Sequence, residues 1–431
     1  MQYYSTNKSA ATVRLPYAVL KGLADDGGLY MPESIPQLPA SFFETIHTKT
    51  LPEIGYAVAS ALIGDEVPAD VLKKIVEETL NFPIPAVRVE NDIYSLELFH
   101  GPTMAFKDVG ARFMSRLMAY FNQNESRELK VIVATSGDTG SAVAAGFYNV
   151  PGIKVYILFP KGKVSPLQQK QLTTWGGNIT AIEIDGTFDD CQKMAKQALG
   201  DAELNKNNLL TSANSINIAR LIPQSFYYFW AFAQLREKGK PLVFCVPSGN
   251  FGNITGGLLA AAMGLPVHHF IATTNANDVV PEYLRTSVYK TRPSVQTISN
   301  AMDVGNPSNY ARMCELFDHN HQRFCEKISG YAFSDEETRK AMVSVKAQGY
   351  LLDPHGAVAY LGLKEYLRES KAEATGVFLE TAHPAKFREV VEETLGEAVE
   401  IPQQLQAFIA KQEQIIHLPN DYEQLKNMID R

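Results

Sequence analysis

VFCVPSGNFGNITGGLLAAAM, residues 243–263, reads as an apolar strand, a turn rich in glycine and asparagine, and an apolar helix. VIVATSGDTGSAVAAGF, residues 131–147, repeats that order of parts. Outward from these two segments, short apolar runs recur at LKVIVA 129–134, KVYILF 154–159, ITAIEI 179–184, PLVFCV 241–246, HHFIAT 268–273 and GVFLE 376–380. Their near-continuous Val, Ile, Leu and Phe content is what strands covered by helices on both faces require. Helical stretches separate most of them, so the pattern predicts an α/β protein with mostly parallel sheets. Residues 1–80 differ, being aromatic and turn-rich at first and then helical, with no strongly periodic strand. The expected division is an amino-terminal helical region at 1–80, a first α/β domain at 81–235 and a second at 236–431, with 396–431 as a charged helical tail.

Composition narrows the function. A chain of 431 residues needs more than one core, and 45% apolar with 20% charged residues is a globular balance. A net charge of -7 without a basic patch argues against a nucleic-acid partner. Cys191, Cys245, Cys314 and Cys325 are scattered with no C-x-x-C pair, which suggests neither a zinc site nor a disulfide framework and fits the cytoplasm. His100, His355 and His383 show no metal-ligand spacing and read as core or loop residues. The start, MQYYSTNKSA, does not read as a secretory signal, and the uncharged stretch 221–235 is too short to cross a bilayer and reads as a buried helix. A small-molecule substrate is therefore expected, with no metal and no membrane.

HGPTMAFKD, residues 100–108, sets Lys107 in an uncharged neighbourhood just where an apolar run ends. Two readings stand for it. It is a solvated lysine near the start of a helix from about Asp108 to Tyr120, or a desolvated amine able to lose its proton and attack a carbonyl. In SGNFGN at 248–253 the glycines let the backbone approach an anion and no acid competes, so a phosphate monoester suits it; a plain tight turn is the alternative. It lacks the lysine of the nucleoside-triphosphate loop G-x-x-x-x-G-K-[ST]. SGDTG at 136–140 also presents amides at a helix start, but Asp138 would repel a phosphate, so a ligand carrying both a carboxylate and an ionisable hydroxyl or amine fits better; an N-capped turn is the alternative. Thr381, in FLETAHPAKF at 378–387, could cap a helix or hydrogen-bond a ligand nitrogen.

An amine able to attack a carbonyl, a phosphate cup and polar strand ends together suggest pyridoxal 5′-phosphate. HGPTMAFKD, TSGDTGSA, SANSINIAR, SGNFGN and TAHPAKF, in that order over residues 100–387, resemble the threonine synthases, members of the fold type II (tryptophan synthase β-like) pyridoxal-phosphate enzymes. YYSTN and GLADDGGLYMP extend the resemblance to the amino-terminal region. The resemblance implies that Lys107 binds the cofactor and moves protons, and that Gly249, Asn250, Phe251, Gly252 and Asn253 cradle its phosphate. It implies further that Thr381 faces the pyridine nitrogen, and that Ser136, Gly137, Thr139 and Gly140 hold the substrate carboxylate with Asp138 near the cofactor O3′. Many relatives have Asn where this chain has Asp138, and a carboxylate there is expected to need a shared proton.

The implied substrate is O-phosphohomoserine, whose own phosphate would be met by Asn214, Ser215, Asn217 and Arg220 of SANSINIAR and by Lys163 of PKGKVSPLQ. Arginine offers a bidentate fork and lysine a point charge. Two other functions stay open at this stage. A pyridoxal-phosphate serine/threonine dehydratase or β-replacement enzyme would have no use for the second phosphate site, and a non-enzymatic phosphometabolite-binding protein would use the two anion loops without covalent chemistry. A monomer or a homodimer is compatible with either.

Overall fold

A computed structural model of the chain describes residues 1–125 and 127–430. Its strands are β1 (Gln2–Ser5), β2 (Val13–Arg14), β3 (Tyr30–Pro32), β4 (Ala86–Glu90), β5 (Ile93–Glu97), β6 (Leu129–Ala134) and β7 (Ile153–Pro160). Then follow β8 (Ile179–Asp185), β9 (Leu209–Ser212), β10 (Leu242–Pro247), β11 (Val267–Thr274), β12 (Ile328–Ala332), β13 (Thr375–Glu380) and β14 (Ile415–Pro419). They form a 3-stranded sheet ordered β2-β1-β3, a 5-stranded sheet ordered β14-β8-β7-β6-β9 and a 6-stranded sheet ordered β12-β11-β10-β13-β5-β4. All pairings in the 5-stranded sheet are parallel, and only β4 runs against its neighbour in the 6-stranded one. Every residue of β6, β10 and β13 is buried, because helices cover both faces of the central strands. The α/β class and all the apolar runs expected to be strands are present.

Three expectations are corrected. The amino-terminal region is not only helical: β1 to β3 make an antiparallel sheet, and the buried Tyr3 of β1 donates its hydroxyl to the Leu62 carbonyl at 2.9 Å, fastening the sheet to helix Leu51–Ile63. Residues 396–431 are not a purely helical tail, since β14 lies between helices Gln403–Ile409 and Tyr422–Ile429. The sheets also ignore contiguous boundaries. β4 and β5, expected in the first α/β domain, pair into the second sheet through β13, and β14 returns to the first sheet beside β8.

Parallel strands place their carboxyl ends on one side, and ligands of open α/β sheets bind there. The turns after β6, β9, β10 and β13 supply Thr135, Asn214, Gly249 and Thr381 to one cavity with about 810 Å³ of empty space.

Candidate active site

Lys107 is the first residue of helix Lys107–Asn122, whose buried Val109, Ala111, Phe113, Met114, Leu117 and Met118 keep to the core side. The loop before it is stitched to the segment after β13. Phe106 N–H donates to the Thr381 carbonyl at 2.8 Å, His383 N–H donates to the Met104 carbonyl at 3.0 Å, and Ala105 bridges Ala382. Asp108 closes the loop by accepting from the Thr103 N–H at 2.9 Å and its hydroxyl at 2.6 Å. The lysine and the threonine, far apart in the chain, are thus held side by side by backbone.

Burial lowers the Lys107 amine to about 8; Asp138 opposes the shift, while Lys386 and Arg220 add to it. Asp138 begins helix Asp138–Phe147 after β6 and is buried. Its Oδ1 lies 2.8 Å from Lys386 Nζ and accepts from Gln168 Nε2 at 2.8 Å, and its Oδ2 lies 4.0 Å from Lys107 Nζ. Burial alone would raise this carboxyl, but the two lysines outweigh it and hold it well below the usual carboxylate range. Asp138 is thus held between the ammonium groups of Lys386 and Lys107. Lys386 lies within TAHPAKF, between His383 and Arg388, and nothing in that spacing sets it apart from a loop lysine.

The turn after β10 is a backbone cradle. Phe251 adopts a left-handed conformation (φ 61°) at the start of helix Gly252–Ala262, whose first turn has no side-chain cap. Among the described residues no group accepts from the N–H of Gly249, Asn250, Phe251, Gly252 or Asn253. The side chains of the two asparagines are committed elsewhere. Asn250 Oδ1 accepts from the Ser308 hydroxyl at 3.2 Å, and Asn253 bonds the Pro247 carbonyl at 2.7 Å and the Ser248 hydroxyl at 2.9 Å. Five free amides at the positive end of a helix dipole suit a phosphate dianion. The Thr381 hydroxyl lines the same cavity and has no partner among the described residues, so it can serve a ring nitrogen as a neutral group.

The carboxylate loop divides. Ser136 and Thr139 line the cavity, whereas Gly137 and Gly140 shape the turn behind it, both N–H groups being spent on the Thr135 hydroxyl at 2.9 and 2.8 Å. Gly137 has φ 141° and packs on Gln168, where a Cβ would come within 2.6 Å.

In SANSINIAR the structure brings Asn214, Ser215 and Arg220 to the cavity but not Asn217. Asn217 is fully buried: its amide donates to the Val19 and Ser212 carbonyls, and its oxygen caps Ala219 N–H at 2.9 Å. Asn214 pairs with the Ala134 backbone in both directions, at 2.8 and 3.3 Å. Arg220 is 4% exposed, anchored by one bond to the Ala213 carbonyl at 2.6 Å, with its Nε unpartnered. Burial lowers its guanidinium to about 10. Lys163 is exposed and lines an outer vestibule that shares Ser136, Phe188, Asn300 and Asp303 with the cavity. It stands at the mouth, not beside Arg220.

Two supporting residues carried no sequence signal. Arg312 is fully buried and donates to the Ser215, Ile216 and Tyr30 carbonyls at 3.0, 2.7 and 3.2 Å and to Asn309 Oδ1 at 2.8 Å. His355 lines the cavity; its Nε2 accepts from the Ala301 N–H at 3.2 Å, which leaves Nδ1 as the donor to Asp353 at 2.6 Å.

A buried amine of lowered pKa, a cradle of free amides and an unpaired hydroxyl at parallel strand ends fit pyridoxal 5′-phosphate, and they define a fold type II pyridoxal-phosphate enzyme. A family model described as "Pyridoxal-phosphate dependent enzyme" matches residues 79–381, and models for the threonine synthase N terminus and C-terminal segment match 2–80 and 356–429. The chain belongs to the threonine synthase family. It is 45% identical over 99% of its length to threonine synthase of Haemophilus influenzae, covering 99% of that protein. The crystal structure of threonine synthase from Escherichia coli superposes with a TM-score of 0.93 at 43% identity, covering 100% of this chain and 99% of that one. The pyridoxal-phosphate-bound threonine synthase from Brucella melitensis gives 0.92 at 34% identity, with coverage of 100% and 99%. Among the described residues no helix is long and apolar enough to cross a membrane.

Proposed function

We propose that the chain is a pyridoxal-phosphate-dependent lyase acting on a phosphate ester, converting O-phospho-L-homoserine and water to L-threonine and phosphate. Beyond the family, the observation that carries this reading is Arg220, a buried guanidinium that lines the cavity holding Lys107. The cradle after β10 accounts for one phosphate and Arg220 for a second, which a dehydratase would not need.

The cofactor, when bound, acidifies the substrate protons at Cα and then Cβ by conjugation with its ring. Its holders would be Lys107, the amides of Gly249 to Asn253 and the Thr381 hydroxyl. Ser136 and Thr139, with the Asp138 N–H, would receive the substrate carboxylate. With the substrate in place, Lys107 would take the Cα proton and then a Cβ proton; phosphate would leave Cγ, Cγ would gain a proton to become a methyl group, water would give its hydroxyl to Cβ, and Lys107 would return a proton to Cα. A lysine whose amine lies near 8 is suited to take and return protons near neutral pH. Arg220, with Ser215 beside it, holds the departing phosphate, while Lys163 at the mouth guides the incoming dianion. The site belongs to two lobes, one built on the sheet β14-β8-β7-β6-β9 and one on β12-β11-β10-β13-β5-β4, with residues 1–80 as a third unit. A cytoplasmic monomer or homodimer accords with the free cysteines.

The test is a product assay with O-phosphohomoserine, serine and threonine in parallel. Threonine and phosphate should form from the first alone at high rate. Lys107→Ala should fold, lose borohydride-trapped cofactor and fall by at least about 10³-fold in turnover; threonine formation at a near-native rate by that variant would sink the assignment.

A further inference from the structure

Lys107 must change charge as it takes and returns protons, so a carboxylate with no other counter-charge would be stranded in the buried site whenever the lysine is neutral. Lys386 removes that dependence. Its side chain is 0% exposed; Nζ sits 2.8 Å from Asp138 Oδ1 and donates to the Thr103 carbonyl at 2.8 Å. Its backbone is fixed in the short turn Pro384–Phe387, where Lys386 N–H donates to the His383 carbonyl at 2.9 Å and its carbonyl accepts from the Ser165 hydroxyl at 3.0 Å. It is not among the residues lining the cavity, and it engages the carboxylate oxygen opposite the one facing Lys107.

We propose that Lys386 is a positioning residue, a permanent counter-ion that keeps Asp138 ionised beside Lys107 whatever charge Lys107 carries. The inference rests on Lys107 being the reactive lysine. The other groups facing the cluster do not replace Lys386. Arg220 repels Lys107, Gln168 gives Asp138 a neutral donor, Asp108 is committed to Thr103, and burial keeps the His383 ring neutral by lowering it to about 4. The arrangement makes opposite predictions for the two partners. Removing Lys386 takes a repelling cation from Lys107 and leaves Asp138 to it alone; removing the Asp138 charge leaves only repulsion.

The experiment uses the full-length chain freed of cofactor, with Lys107 acetylation by acetic anhydride followed from about pH 6 to about pH 11 by peptide mass spectrometry. K386M should raise the Lys107 midpoint by about one unit or more, D138N should lower it, K386R should leave it in place, and K386M/D138N should return it toward the parent value. A purely structural lysine would not move the midpoint in opposite directions. Equal midpoints in the parent chain, K386M and D138N overturn the proposal, and if K386M does not fold, K386Q with D138N provides the same comparison of signs. The readout needs no turnover, so shifts of the expected sign in a protein that makes no threonine would count against the proposed function and not against this pairing.

Discussion

Lys107 and Lys386 share a residue type and a carboxylate, yet Lys386 is wholly enclosed while Lys107, its side chain 16% exposed, opens into the cavity. That access makes its lowered pKa chemically useful. Burial disfavours the ammonium, so the fraction of free amine reaches half at about pH 8 and is nearly complete about one unit above it. Cofactor uptake by the cofactor-free chain should therefore speed up with pH through a midpoint near about 8 and level off by about 9, measured by stopped-flow absorbance; a rate still climbing at about pH 10 would place the amine at its ordinary value. The sequence carried the signal for Lys107 because its uncharged neighbours are local. It did not separate Lys386 from a loop lysine, since what distinguishes Lys386 is Asp138 at the end of another strand. Arg220 is legible only through the family motif around it, whereas Asn217 sits in the same motif and is spent on packing. Motif membership marks a neighbourhood, and the hydrogen bonds decide which side chains remain free to bind.

At the scale of elements, the central strands other than β5 were readable because burial on both faces forces continuous apolar runs, whereas Ser95 and Glu97 interrupt the run in β5. The edge strands were not. β4 and β14 hold no fully buried residue, and β9 is only four residues long, so none makes such a run. A second consequence belongs to helix Pro354–Ser370, where Asp353 caps His355 N–H at 2.7 Å and its own N–H donates to Glu380 Oε1 at 2.7 Å. Burial first, and then Asp353, push the Glu380 carboxyl well above its usual range, with Glu97 adding to the effect. A proton there accounts for Asp353 Oδ2 and Glu380 Oε2, two buried oxygens with no other partner among the described residues. With the folded value above the unfolded one, the group's stabilising contribution is whole below the ordinary carboxylate range and is lost as pH rises through the folded value. Glu380→Gln, which cannot shed that proton, should lose less Tm than the parent chain between neutral and alkaline pH; parallel Tm profiles would show that Glu380 is ionised in the fold. Glu97, His355 and Tyr350, the other titratable groups against the pair, are unchanged in that variant.

The whole molecule is held together by crossings between its units. Arg312 joins three of them, since it donates to the backbone carbonyls of Tyr30 in β3 and of Ser215 and Ile216 in the loop beside Arg220, and to the Oδ1 of Asn309 in the segment that braces Asn250. Arg312→Met should leave several buried acceptors unpaired. It should cost about 3 kcal/mol or more in denaturant titrations and weaken cofactor binding, because the cradle and the Arg220 loop lose a common support. A variant with parent stability would show that water replaces the guanidinium. The exchange of strands between the lobes has a different kind of consequence, one of timing. β14 pairs with β8 from Ile415↔Ala181 to Pro419↔Asp185, and every strand of the other lobe precedes it in the chain. On the ribosome the lobe built on β6 to β9 therefore emerges first but waits with a bare parallel edge until the other lobe has been synthesised. The two halves of the cavity come to completion together, and a nascent chain stalled before residue 415 exposes the β8 edge to any neighbouring strand.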